Sequence, residues 1–195
     1  MTKRKVKFLE SSLIEQKAND VLNKAHQKGF YDFNSSTPID LIVEIILKLN
    51  INFSDLNKDF EGVLGALDIK NQMIWLDESL NHTENNNHTI ESRCNFTIAH
   101  ECGHHILHQK LYDDENMTLF HDIENPKTKM IEIQANMFAS YILMPTDLIM
   151  KKWSKIDYQA PFEKTLSSLT EFFKVSREAL IIRLKKLELI DGSYQ

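Results

Sequence analysis

The stretch that most constrains this chain is FTIAHECGHHILHQ, residues 96–109. Its apolar residues recur with helical spacing. On a helix His100 and His104, four apart, lie one turn above each other and project from one face. Two imidazoles so placed can close on one tetrahedral metal ion at ~2.0–2.1 Å each. Glu101 falls about 100° around the helix, beside the ion rather than on it. A carboxylate there can take a proton from metal-bound water. A chain of this length meets the bare pattern by chance in roughly 2% of cases, so the flanks matter. Phe96, Ala99, Ile106 and Leu107 supply an apolar face for packing. Gly103 costs about 1 kcal/mol inside a helix and marks a place where something packs closely.

Other histidines crowd the same segment. His108 lies ~12 Å along the axis from His100, too far for both to hold one ion, and is expected to pack or hydrogen-bond at the helix end. The longer metzincin pattern fails, because Leu107 and Lys110 stand where its glycine and third histidine belong. His105 points elsewhere on the helix and reads as a residue behind the ligands or at the surface. A catalytic zinc needs a third protein ligand and an open position. Glu132 opens the helical stretch IEIQANMFASYILMP, where Glu132, Ala135, Asn136, Ala139 and Leu143 share one face. Alanines on that face would let the two helices approach closely enough for Glu132 to reach the metal, with Asn136 among the residues behind the ligands. His121, Asp113, Asp114 and Glu124 compete for the same role and spacing alone does not remove them. Tyr112, His121 and Tyr141 are candidates to stabilise an oxyanion.

Composition fixes the class. At 195 residues the chain is long enough for one well-buried core. Hydrophobic residues at 42% and charged residues at 26% are ordinary globular values. A net charge of −5 argues against general affinity for nucleic acid or anionic membrane. Lys3, Arg4, Lys5 and Lys7 resemble a signal-peptide start, but Glu10, Glu15 and Asp20 interrupt the adjoining stretch and no apolar region forms. IDLIVEIILKL, broken by Glu44 and Lys48, is too short to span a bilayer. Cys94 and Cys102 form no disulfide framework. These features predict a soluble cytoplasmic protein.

Residues 10 to 28 are expected to be helical on Leu13, Val21 and Ala25, with Gly29 as the stop. A second helix is expected from Thr37 as N-cap, through Pro38 and Asp40, to about Leu49 on Ile42, Ile45, Ile46 and Leu49. INF (51–53), VLGALDI (63–69) and QMIWL (72–76) read as strands, with a hairpin turn at Lys70 and Asn71. Helix returns from about Ile90 to His108. Residues 109–129 read as loop, and helix resumes at 130 to end before Met144-Pro145. Short helices are expected at 147–153, 162–173 and 176–188. This order predicts an α+β fold, helices around a small, mostly antiparallel sheet. The expected division is a core over residues 1–158, with residues 1–33 as an N-terminal helix, and a helical segment over 159–195 packed on it.

HECGHHILH, followed by E-I-Q-A-N-M-F-A-S-Y-I-L-M-P, resembles the ImmA/IrrE family of metallopeptidases. TPIDLIVEIILKLNI resembles the family's helix before its sheet, and FFKVSREALIIRLKKLELI its common ending. The resemblance spans roughly residues 37 to 190. Cys102, Ile142 and Glu188 depart from the usual leucine, leucine and glycine. The resemblance implies a gluzincin-like, zincin-type core with one catalytic zinc on His100, His104 and Glu132, and Glu101 as base. It also implies a protein substrate, in the pattern of family members that cleave helix-turn-helix repressors or sit beside an antitoxin-like partner. A different class remains open: a DNA- or antitoxin-binding regulator with a vestigial peptidase core, since residues 162–188 resemble a helix-turn-helix. From Pro161 to Gln195 six Lys/Arg stand against five Asp/Glu, a net of +1. That is weakly basic for a groove-binding module, so direct DNA binding is not expected. Leu166, Leu169, Phe173, Leu180, Leu184 and Leu187 read as core positions.

Overall fold

In the computed structural model of the protein, residues 8–59, 62–81, 88–109, 126–157 and 159–191 are described. Helix α1 (Ser11–Gln27) buries Ile14, Ala18, Val21, Leu22 and Ala25, a stripe at helical spacing. Leu13, expected in that stripe, falls beside it and is 39% exposed. The helix stops where expected: Gly29 takes φ 84 and donates its N–H to the His26 carbonyl at 2.9 Å.

The next helix starts later than its cap signal suggested. Helix α2 (Ile39–Leu41) widens into a π-helix over Ile42–Leu47 and ends on Lys48 in the left-handed region. Thr37 is not its N-cap. The Thr37 hydroxyl instead donates to the Ile142 carbonyl at 2.7 Å, satisfying one of the last carbonyls of a distant helix.

Strand β1 (Asn50–Ser54) leads through α3 (Leu56–Asp59) to β2 (Gly65–Asp68) and β3 (Met73–Asp77). The sheet order is β1-β3-β2. β2 and β3 form the expected hairpin, antiparallel with Gly65 opposite Leu76. β1 joins β3 in parallel, Ile51 opposite Ile74, so the sheet is mixed, with one ladder of each kind. Among the described residues no strand pairs with the outer edge of β2.

Helix α4 (His88–His108) packs against β2 and β3 on one side and against α5 (Pro126–Leu143) on the other. α5 begins earlier than the loop reading of residues 109–129 allowed. Pro126 is its first residue, the helical position where a missing N–H is harmless. Helices α6 (Thr146–Trp153), α7 (Phe162–Phe173) and α8 (Arg177–Lys186) complete the described fold. Lys174 at φ 54 turns α7 into α8, and the Ser176 hydroxyl caps α8 by accepting the Ala179 N–H at 3.2 Å. Leu166, Leu169, Phe173, Leu180 and Leu184 are buried in the cluster that also holds Phe138, Ala139 and Ile142 of α5. Among the described residues no helix is long and apolar enough to cross a membrane.

Candidate metal centre

The crossing of α4 and α5 builds the site. A Cβ added to Gly103 would come within 2.9 Å of Ala135 Cα and 3.0 Å of the Ala135 carbonyl oxygen. Only glycine admits this approach, which is why the helix tolerates its conformational cost. Ala135 and Ala139 are fully buried on the facing side. The close crossing lets Glu132, in the second turn of α5 rather than the first, reach across to α4.

Three side chains converge there. His100 Nε2 lies 2.9 Å from His104 Nε2 and 3.1 Å from Glu132 Oε2, and His104 Nε2 lies 3.4 Å from Glu132 Oε1. Tetrahedral ligands at ~2.0–2.1 Å from one ion sit about 3.3–3.4 Å apart, so the triangle matches a metal site to within a few tenths of an ångström. Among the described residues these three form the group of His, Cys, Asp and Glu side chains close enough to share an ion. The residues fit a metal, and they fit on donor chemistry as well as on size.

Both imidazoles are oriented from behind. His100 Nδ1 donates to Asn136 Oδ1 at 2.9 Å, which leaves the Nε2 lone pair facing the triangle. His104 Nδ1 meets His108 Nδ1 at 3.4 Å, and His108 Nε2 donates to Gln134 Oε1 at 2.9 Å. Burial pushes the His108 pKa down to about 4, against the opposing pull of the Gln134 hydrogen bond. His108 is therefore neutral, carries its proton on Nε2, and accepts from His104 Nδ1–H. The chain Gln134–His108–His104 then fixes the His104 tautomer with Nε2 toward the metal position. Burial alone would lower the His100 pKa, but the Glu132 hydrogen bond and the Glu101 charge overcome it and raise the value.

Glu101 is 2% exposed and lies against the sheet. A Cβ at Gly65 of β2 would come within 2.5 Å of Thr97 Cγ2 and 3.1 Å of Glu101 Oε1. The strand can therefore pass directly beside this carboxylate only because residue 65 is glycine. Glu101 and the outer edge of β2 thus share one side of the cleft.

The remaining expected residues separate. His108 packs and hydrogen-bonds at the helix end, in the position that excludes it as a ligand. His105 is half-buried, and its Nδ1 has no hydrogen-bond partner among the described residues. Tyr141 is drawn away: it lies nine residues beyond Glu132, ~13 Å along α5, with its hydroxyl bonded to Ser11 and its ring under Arg183. That placement removes it from oxyanion stabilisation. Tyr112 and His121, with Asp113, Asp114 and Glu124, lie outside the described residues. Burial pushes the Cys102 thiol far up, so it stays protonated and supplies no ligand. Sequence reading missed Gln134 and Gly65. The signals were a glycine inside a strand, which marks a close approach, and a glutamine in the buried run beside Glu132.

Two helices crossing on a glycine, with a histidine pair from one and a carboxylate from the other, define a metallopeptidase type of centre. The Peptidase M78 family model, described as an IrrE N-terminal-like domain, matches residues 67–185. The chain belongs to this family, the ImmA/IrrE metallopeptidases. No curated protein matches it.

Proposed function

We propose that this protein is a cytoplasmic, zinc-dependent endopeptidase that cleaves a helix-turn-helix repressor. The observation that carries the reading is the convergence of His100, His104 and Glu132, with Glu101 beside them and outside the triangle. A set of two imidazoles and one carboxylate suits a catalytic zinc, whose fourth position is kept for water or substrate. When bound, the zinc supplies a Lewis acid and makes water acidic enough to give up a proton near neutral pH. Glu101 accepts that proton as water attacks the scissile carbonyl, then delivers it to the departing amine. Asn136 and the His108–Gln134 pair keep both imidazoles in the metal-binding tautomer through the cycle. The outer edge of β2 offers backbone groups to an extended substrate segment running past Glu101.

In this reading residues 1–158 are the catalytic core and 159–195 the part that meets substrate. Of the six basic residues in this segment that a DNA-binding reading would use, at least three have partners within the protein. Arg177 pairs with Glu163 at 2.9 Å, Arg183 is 1% exposed, and Lys186 lies over the Tyr141 ring at 4.8 Å. Glu178 at the start of α8 would repel phosphate.

The test is cleavage of a co-encoded helix-turn-helix repressor by wild type and Glu101→Gln, beside elemental analysis of both proteins. Wild type should cut once or at few sites. Glu101→Gln should keep one equivalent of zinc and lose activity by about 10²–10⁴-fold. Equal cleavage by both proteins overturns the mechanism. An intact repressor with wild type overturns the substrate.

A further inference from the structure

A cavity of about 720 Å³ opens between α1, the turn that follows it and the start of α6. That volume is ordinary for a small-molecule site. The cavity lies at Pro145, beyond the end of α5, whereas Glu132 stands eleven residues before Leu143, ~16 Å along the helix. No metal-ligand residue lines it, nor does Glu101, so its chemistry is separate from that of the metal centre. Glu15, Asn19 and Asn23 recur every four residues on α1 and present one polar stripe to it. One oxygen of Glu15 accepts from the Thr146 hydroxyl and from Arg183. Asn19, Asn23 and Asp147 make no hydrogen bond or ion pair among the described residues. The Lys151 ammonium is held by Asn34 Oδ1. Phe33 is 43% exposed, with its ring set against His26 at 4.8 Å and edge-on to Tyr31 at 5.3 Å.

Tyr31 is the residue that asks for a ligand. It forms part of the cavity wall and is 4% exposed, yet its hydroxyl has no hydrogen-bond partner among the described residues. The neighbouring Thr37 hydroxyl gives its proton to the Ile142 carbonyl instead. Burial raises the Tyr31 pKa, so the phenol keeps its proton and stands ready to donate it. A buried hydroxyl left unpaired is costly, and nothing in the described chain supplies the missing partner. The start of α6 is open as well, since no side chain caps it.

We propose that this cavity is a second ligand site and that it takes a neutral purine nucleoside. The two ends of the cavity suit the two halves of such a molecule. At the end built by Asn23, Tyr31 and Phe33, the asparagine amide can pair with the donor–acceptor edge of adenine through two hydrogen bonds. There the Phe33 ring can stack on the base and the Tyr31 hydroxyl can donate to a ring nitrogen. At the end built by Glu15 and Asp147, a carboxylate can accept from the ribose hydroxyls. Charge sets the limit on what enters. Two carboxylates line the cavity and its one lining cation, Lys151, is already held, so a phosphate is disfavoured. Lys151 in turn disfavours a polyamine. The proposal stands apart from the peptidase reading and does not depend on it.

Calorimetric titration of the full chain with adenosine, uridine, AMP and spermidine tests it. Adenosine should saturate one site, and each of the other three should bind at least about fivefold more weakly. Asn23→Leu and Phe33→Ala, both at exposed positions, should each weaken adenosine binding at least about fivefold. Tyr31→Phe is the sharper variant. It removes a hydroxyl that the chain leaves unpaired, so it should unfold in urea no earlier than wild type and still bind adenosine more weakly. No saturation by adenosine up to its solubility overturns the proposal. Adenosine binding that survives all three substitutions places the nucleoside elsewhere and overturns it too. AMP or spermidine bound as tightly as adenosine overturns the neutral class, in favour of an anion at the start of α6 or a cation on the two carboxylates.

Discussion

Two polar constellations flank α5, and they are complements. At one, His100, His104 and Glu132 turn three donor atoms toward a common point. At the other, Arg183 brings its cation into a buried nest. It donates to the Met144 carbonyl at 3.2 Å, the Thr146 hydroxyl at 2.7 Å and Glu15 at 3.3 Å, and lies over the Tyr141 ring. Burying charge is tolerable only when its partners are present. The Arg183 nest is complete in the chain and works as a clamp joining α1, α6 and α8. The histidine–glutamate triangle brings three donor atoms close enough to share one ion, and that difference separates a candidate binding site from a structural one.

The largest effect expected from this contrast is metal-linked stability. A ligand at about 1,000 times its Kd adds about 4 kcal/mol to a protein that binds it only when folded. Chemical denaturation with and without excess zinc should show a gain of this order in wild type and in Arg183→Ala, and none in Glu132→Ala. A gain retained by Glu132→Ala would place the ion elsewhere.

Next in size is the clamp itself. Breaking a buried pair costs about 3–5 kcal/mol, and the lower end applies because Glu15 is 31% exposed in its side chain. Arg183→Ala should therefore lose about 3 kcal/mol in urea melts while binding zinc as tightly as wild type. A comparable loss of zinc affinity would show that the two constellations are coupled through α5.

How much of this was legible in the residues differs between the two sites. The triangle was readable because its geometry is local: a four-residue spacing on one helix and small residues on the other. Gly103 announced its packing partner before Ala135 was known to be that partner. Arg183 was unreadable. It sits in a run of charged residues, REALIIRLKK, and counts there as surface charge, but the partners that bury it come from residues 15, 144 and 146. Local periodicity also misjudged Leu13, where Ile14 faces inward, and Thr37, whose hydroxyl serves the end of α5. In each case a long-range contact overrode a local preference. The parallel β1–β3 pairing had no local signature either, since only a hairpin announces itself through its turn.

A finer test addresses the residues behind the ligands. Loss of such an outer partner typically weakens metal binding by 10–100-fold, which is about 1.4–2.7 kcal/mol. Gln134→Leu removes the acceptor that holds the His108 proton on Nε2, and His104 then loses its fixed tautomer. Competition against a chelator should report that weakening in Gln134→Leu at unchanged fold. Equal affinity would mean that the His104–His108 contact orders nothing.

The smallest effect comes from a third constellation, where backbone amides play the part of the cation. Asp77 is 3% exposed and accepts the Ser79 N–H at 3.0 Å and the Asn57 N–H at 3.1 Å, tying β3 to the start of α3. Burial alone would raise its pKa, but the Ser79 hydroxyl and the backbone N–H groups overcome it and hold the carboxyl below its usual value. A depressed folded pKa stabilises the protein above the unfolded value of about 3.9, and that contribution fades as pH falls through the folded value. Asp77→Asn keeps the shape, removes the charge and should cost about 1 kcal/mol at neutral pH. Urea denaturation of both proteins at neutral pH and near pH 3 should show the gap narrowing on acidification, because wild type alone loses a charged acceptor. A gap that stays constant across that range would mean the amides favour the carboxylate no more than they favour a neutral amide. Two neutralised constellations and one open triangle would then reduce to one of each.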